Sequence, residues 1–215
     1  MSLLYLVRHG ETNHNAEERG LGRADVPLSP RGRLQAELLA ARFARVPIDA
    51  VLSSPLQRAL AIARAIADHH ALAIDVRPEL TELDVGETEG LTYAEIRERF
   101  PDFYRAWSGD DPVAVPMPGG ESIADLARRL EPLAAELLTG PDRVTVIVSH
   151  NFTLRVLVCQ LLGIPVASFR NFRLDLASVT TISVQHGRAA IQALNDVCHL
   201  EEPLNLAAPA RSVST

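Results

Sequence analysis

The chain contains no lysine; all 21 of its basic residues are arginine. That absence removes the Walker-A lysine, the pyridoxal Schiff base and the protein-kinase lysine from consideration. Cysteine is nearly absent too. Cys159 and Cys198 are the only two, far apart and without metal-ligand spacing, which fits a reduced, cytoplasmic protein. Positive charge is outweighed, with a formal net charge of −6, so there is no basic excess to grip a nucleic-acid backbone. Long apolar runs are missing as well. The N-terminal run covers about five residues, short of a signal-peptide core or a membrane span. Neither His-x-x-x-His nor Asp-rich spacing occurs, so no metal site is expected.

What is present is enough apolar material for a core, 47% of 215 residues. The length fits one domain with a lid. We expect a single domain over 1–200, a cap insertion at about 84–122, and a flexible tail over 201–215. Residues 3–7 read as a buried strand. Ser29 and Pro30 open a helix as N-cap and first helical residue. Residues 48–54 form a second strand, and Ser54–Pro55 are read as the start of the next helix. A short strand near 73–76 follows, and Thr92 with Glu95 makes a capping box. The stretch 101–120 reads as irregular. A helix over 123–138 is expected to kink or split at Pro132. Residues 144–150 are the strongest strand, followed by a helix from about Thr153 to Leu162. Two or three strands fill 173–194.

Strands alternating with helices imply an α/β fold: three layers, α/β/α, with a mostly parallel central sheet and a small helical cap over the C-terminal strand ends. Ligands in such sheets sit beyond those ends. Three of them carry polar clusters: Arg8 and His9 after the first strand, Ser53 and Ser54 with Arg58 one turn on, and Ser149 with His150 after the late strand. Each alone has an ordinary explanation; their shared position makes a site. Two arginines and two histidines suit a tetrahedral dianion, because guanidinium forks match phosphate oxygens. A histidine can act as nucleophile toward phosphorus, and a carboxyl must protonate the leaving oxygen. Glu82, Asp84, Glu87 and Glu89 in "TELDVGETEG" are the candidates; the residues alone do not rank them.

With these motifs in order, the chain resembles the histidine phosphatase superfamily, also called phosphoglycerate-mutase-like, from Leu4 to about Leu200. "LVRHGET" is similar to its defining motif, which implies His9 as the phosphorylated nucleophile beside Arg8. The resemblance also implies Arg58 in "LSSPLQRALAIA" as the second phosphate arginine, Glu82 in "ELDVGETEG" as proton donor, and His150 in "VIVSHNFTLR" as a phosphoryl-stabilising group. On the substrate side it implies Asn15 as a phosphate contact, Gly22 as pocket lining, and His199 in "LNDVCHL" near the site mouth. The usual "SHGG" is "SHNF" here, so Asn151 replaces a glycine that approaches phosphate. Val85 stands where phosphoserine-specific relatives tend to carry a histidine, which puts that specificity in question. With Phe103, Tyr104 and Trp107 it suggests less polar leaving groups.

The implied activity is metal- and cofactor-independent hydrolysis of a small phosphate ester through phosphohistidine, with no nucleic-acid or membrane partner. The resemblance also admits a homodimer. The chain length and the "GETEG" segment look like small bacterial broad-specificity, α-ribazole and phosphoserine phosphatases. A phosphoglycerate-type mutase is the alternative, counted against by the short segment between "TEG" and "PGGES". A non-catalytic phosphate-binding module is the last.

Overall fold

The computed structural model describes residues 1–200; the expected flexible tail, 201–215, lies outside the described residues. Strand β1 (Ser2–Arg8), β2 (Ala50–Ser53), β3 (Ile74–Val76), β4 (Val144–Ser149), β5 (Val179–Gln185) and β6 (Arg188–Asp196) form one sheet in the order β3-β2-β4-β1-β5-β6. The β1/β4, β2/β4 and β2/β3 pairs are parallel. β5 and β6 form an antiparallel hairpin on one edge, so the stretch 173–194 supplies two strands.

The layers follow from the two-residue period of a strand. Leu4, Leu6, Leu52 and Ile147 point into one apolar cluster, while Val7, Val51, Val146 and Val148 point into another on the opposite face. The helices are α1 (Asn13–Ala16), α2 (Pro30–Phe43), α3 (Gln57–Asp68), α4 (Tyr93–Arg99), α5 (Pro101–Trp107), α6 (Ile123–Thr139) and α7 (Asn151–Leu162). Leu39 and Phe43 of α2 and Ile62 and Ile66 of α3 fill the second cluster; Leu126, Leu130 and Leu133 of α6 and Leu157 of α7 fill the first. Among the described residues no helix is long and apolar enough to cross a membrane.

Local signals set most helix starts. Ser29 Oγ accepts from Gly32 N at 3.0 Å with Pro30 at the first helical position. Thr92 and Glu95 form the expected reciprocal box. Four expectations need correction. α3 begins at Gln57 after Leu56, with no side-chain cap, because Ser54 Oγ is buried and bonded to His150 instead. α7 begins at Asn151, two residues early, because its cap comes from a distant residue, Glu82. α6 is assigned as one uninterrupted helix with Pro132 inside; Pro132 lies on its exposed face while the Leu126–Leu130–Leu133–Leu137 stripe holds the core. Part of 101–120 is helical: Pro101 takes the N-terminal position where its missing N–H costs nothing.

Helices α4 and α5 belong to the segment that covers the C-terminal strand ends. Phe103 and Trp107, one turn apart on α5, stack at 5.8 Å, and Trp107 meets Phe152 and Phe169 edge-on and tilted at 6.0 and 6.3 Å. Arg170 lies over the Trp107 ring at 5.6 Å and donates to its carbonyl. The rest of this segment is closed by the approach of residues 84–86 to 118–120. Gly86 has φ +53°, and a Cβ there would lie 2.1 Å from Pro118 O.

Gly86→Ala therefore meets both a strained backbone and a backbone clash. It should cost about 1–3 kcal/mol in urea unfolding. An unchanged midpoint would show that the 84–86 and 118–120 segments part readily.

Candidate active site

The floor of the site is assembled from strand ends. His9 follows β1; its backbone N–H donates to Ser149 O at 2.9 Å, and its carbonyl accepts from Ala177 N at 3.0 Å. His9 Nδ1 lies 2.7 Å from Gly10 O. A carbonyl can only accept, so Nδ1 carries the proton and Nε2 keeps its lone pair. Burial, followed by the charges of Arg58 and Arg8, holds this imidazole well below its ordinary pKa. The ring is neutral and has the tautomer a nucleophile needs.

Arg58, from the first turn of α3, is fully buried. Its Nη1 and Nη2 donate to Ala24 O at 2.7 Å and Gly22 O at 2.6 Å, and its Nε has no partner. The loop presenting those carbonyls is clamped in turn. Gly22 N and Ala24 N donate to the two carboxylate oxygens of Glu89 at 2.8 and 3.0 Å. Gly22 is required by space: a Cβ would stand 2.7 Å from Leu83 O and from a Val85 methyl. Arg8 Nη1 donates to Leu174 O at 2.6 Å, and its Nε is likewise buried without a partner. Desolvation lowers the Arg8 pKa to about 10 against the opposing pull of Glu82.

His150, at the end of β4, is fully buried with its ring centroid 5.1 Å from that of His9. Ser54 Oγ contacts His150 Nε2 at 2.7 Å and accepts from Leu56 N at 3.3 Å. The hydroxyl has a second lone pair and its own proton, so this contact admits either tautomer; when Nε2 accepts the serine proton, Nδ1 is the protonated ring atom. Nδ1 is buried and unpartnered. Burial and the neighbouring Arg58 and His9 keep this imidazole, too, well below its ordinary pKa.

Of the four candidate carboxyls, Glu82 alone lines the central cavity. Its Oε1 accepts from Leu83 N and Thr153 N at 2.9 and 3.1 Å, with Thr153 Oγ1 also 3.1 Å away, while Oε2 accepts one N–H, from Phe152 at 3.2 Å. Oε2 thus retains room for a proton. Asp84 turns outward to Gly86 N and Arg23, Glu87 lies against Gly119, and Glu89 serves as the loop clamp. The main chain around Glu82 is pinned from three elements: Ser149 Oγ donates to Leu80 O at 2.6 Å, Thr153 Oγ1 to Thr81 O at 2.9 Å, and Arg129 to Glu79 O and Thr81 O at 2.5 and 2.9 Å.

Arg8, His9, Asn15, Glu82, Val85 and Asn151 all line one cavity of about 530 Å³. Arg58, His150 and Gly22 stand behind that lining. Asn15 Oδ1 is held by Thr12 N and Oγ1 at 3.1 and 2.9 Å, which orients its amide. Asn151 Oδ1 is buried without a partner. His199 is placed elsewhere: its Nδ1 lies 3.0 Å from Arg42 of α2, beside the Arg42–Asp196 pair, and it does not line the cavity. Its place at the site mouth is therefore corrected. After β6 the chain turns, with Leu200 N donating to Val197 O at 2.8 Å, and Arg42 of α2 holds the ring. Sequence reasoning missed Arg129 and Thr153. Arg129 had a visible signal, a cation at the border of the α6 apolar stripe, three residues after Leu126 and four before Leu133.

A sequence profile of the Histidine phosphatase superfamily (branch 1) matches residues 4–197. The chain belongs to this family and, with it, to the phosphoric monoester hydrolases. It is 36% identical over 203 residues to phosphoserine phosphatase 1 of Hydrogenobacter thermophilus, covering 94% of this chain and 96% of that one. It is 34% identical to the adenosylcobalamin/alpha-ribazole phosphatase of Salmonella typhimurium, covering 89% and 95%. The crystal structure of a putative alpha-ribazole-5'-P phosphatase from Escherichia coli superposes with a TM-score of 0.84 at 30% identity, covering 91% and 96%.

The two depressed histidines make stability depend on pH. Each is neutral when folded and titrates near its ordinary value when unfolded, so the unfolded chain binds more protons as pH falls through about 6.5. Unfolding free energy should therefore be lower at about pH 5.5 than at about pH 7.5, by up to about 1.4 kcal/mol per pH unit for each ring. His150→Asn should shrink that difference. A pH dependence unaltered by the substitution would show that this ring is not held neutral.

Proposed function

We propose that the protein is a metal-independent phosphomonoesterase that works through a phosphohistidine intermediate on small phosphorylated metabolites. The observation that carries this reading is the fixed His9 tautomer between two guanidinium groups. His9 Nε2 attacks phosphorus as the bond to the leaving oxygen breaks, and Glu82 Oε2 gives that oxygen its proton. Water then attacks the phosphohistidine, Glu82 takes up the proton, and inorganic phosphate leaves. Arg8 and Arg58 stabilise the equatorial charge as it spreads, and His150 Nδ1–H adds a neutral donor. These groups supply the charge a metal would otherwise bring, and among the described residues no cluster of three metal-ligating side chains occurs.

The reading takes residues 1–200 as one catalytic domain with 84–122 as its cap. It places the enzyme in the cytoplasm, which accords with Cys159 and Cys198 forming no disulfide. A homodimer through the β6 edge stays within it.

Phosphate release in the presence of EDTA tests the mechanism. His9→Ala should lower turnover by about 10⁴-fold or more; substantial residual hydrolysis would sink the nucleophile assignment. Glu82→Gln should slow alkyl esters by about 10²–10⁴-fold and para-nitrophenyl phosphate far less. Equal slowing of both would remove Glu82 from the acid role.

A further inference from the structure

The phosphate-floor residues Arg8, His9, Asn15, Glu82 and Asn151 make up only part of the lining of the 530 Å³ cavity. Its remaining wall has a different chemistry. Val85, Phe103, Trp107, Met117 and Phe152 form it, with Ile96 of α4 nearer the mouth. Val85 and Met117 are buried, and Phe103 and Trp107 pack against the same apolar cluster as α6 and α7. The wall is thus a continuation of the core and not a loose surface patch.

Of the described charged lining residues beyond the phosphate floor, the one cation, Arg19, is already paired. Arg19 donates to Glu17 at 3.1 Å, to Gly90 O at 2.9 Å and to Glu95 at 3.4 Å. Thr88 Oγ1 is committed to Val85 O at 2.7 Å. Among the described lining residues beyond the phosphate floor, no guanidinium is left to pair with a carboxylate. The leaving group of phosphoserine carries a carboxylate and an ammonium, and that of 3-phosphoglycerate a carboxylate. Placing either carboxylate against this wall removes a negative charge from water without a counter-charge, and Glu18 on the lining adds like charge, which is unfavourable. A flat apolar ring, by contrast, gains both burial and edge or face contacts with Phe103, Trp107 and Phe152.

Resting on the phosphatase reading, we propose that the preferred substrates are monoesters of uncharged, ring-bearing alcohols or phenols. The leaving group's ring system lies against the face formed by Phe103, Trp107 and Phe152 while the phosphate sits on Arg8 and His9. Charged amino-acid and glycerate phosphates are disfavoured.

The test is kcat/KM for four esters with the full chain: 2-(naphthyl)ethyl phosphate, ethyl phosphate, phosphoserine and 3-phosphoglycerate. The naphthylethyl ester should exceed each of the others by about ten- to a hundredfold, the range expected from burying one aromatic group. Phe103→Ala should narrow the ratio of naphthylethyl to ethyl phosphate by about tenfold. Phosphoserine or 3-phosphoglycerate matching or exceeding the ring ester would overturn this inference and leave the hydrolase reading intact. So would equal values for naphthylethyl and ethyl phosphate. No release from any of the four, or from para-nitrophenyl phosphate, would bring down both. The wild-type panel decides the matter even if Phe103→Ala fails to fold.

Discussion

The structure is organised around a buried guanidinium. Arg58 has no exposed surface, and a cation in that position is costly unless its donors are satisfied. Two of them are satisfied by main-chain carbonyls at residues 22 and 24, and those carbonyls hold their place only because Glu89 binds the adjacent N–H groups. One charge thus fixes a glycine loop, the loop requires a distant carboxylate, and the carboxylate lies in the cap segment. Its unpartnered Nε, like that of Arg8, is a remaining debt that only a ligand or solvent can meet. The fold carries this strain on positive charge because a dianion relieves it.

Glu82 couples catalysis to architecture in a second way. Its carboxylate accepts the Phe152 and Thr153 N–H groups, so it acts as the N-cap of α7 from 70 positions upstream in the chain. Arg129, Ser149 and Thr153 pin the backbone from residue 79 to 82, which keeps the carboxyl in reach through both steps of the proposed mechanism.

The fold class and the phosphate floor were legible in the sequence because each rests on local, repeating features. Alternation in β1 and β4, Ser29–Pro30, and the Thr92–Glu95 box are all written within a few residues. The misreadings share a cause, the diversion of a local signal by a long-range contact. Ser54 looked like an N-cap but bonds His150; α7 starts early because Glu82 caps it; His199 turns to Arg42 rather than to the cavity. The stretch 101–120 reads as irregular, yet Pro101 at a helix start carries no penalty. Four acidic residues within eight positions were indistinguishable as residues, and the family resemblance alone had pointed to Glu82. Only tertiary packing shows that one lines the cavity, one clamps a loop and two face away.

Under the phosphohistidine mechanism proposed above, the electrostatics of the floor account for how a ring held neutral can take up positive charge when a substrate dianion is present. In the empty site Arg8 and Arg58 oppose any positive charge on His9. In the proposed mechanism, attack by Nε2 would build such a charge on the ring as the nitrogen–phosphorus bond forms and the bond to the leaving oxygen breaks. The arriving dianion offsets the two guanidinium groups, so the field that kept the imidazole neutral now tolerates the developing cation. Gly10 O, already accepting from Nδ1–H at 2.7 Å, strengthens as an acceptor while that charge grows. On that mechanism the same guanidinium groups that hold the resting ring neutral would face the phosphoryl oxygens when the ring changes charge, with the unpartnered Nε of each as the donor still to be met.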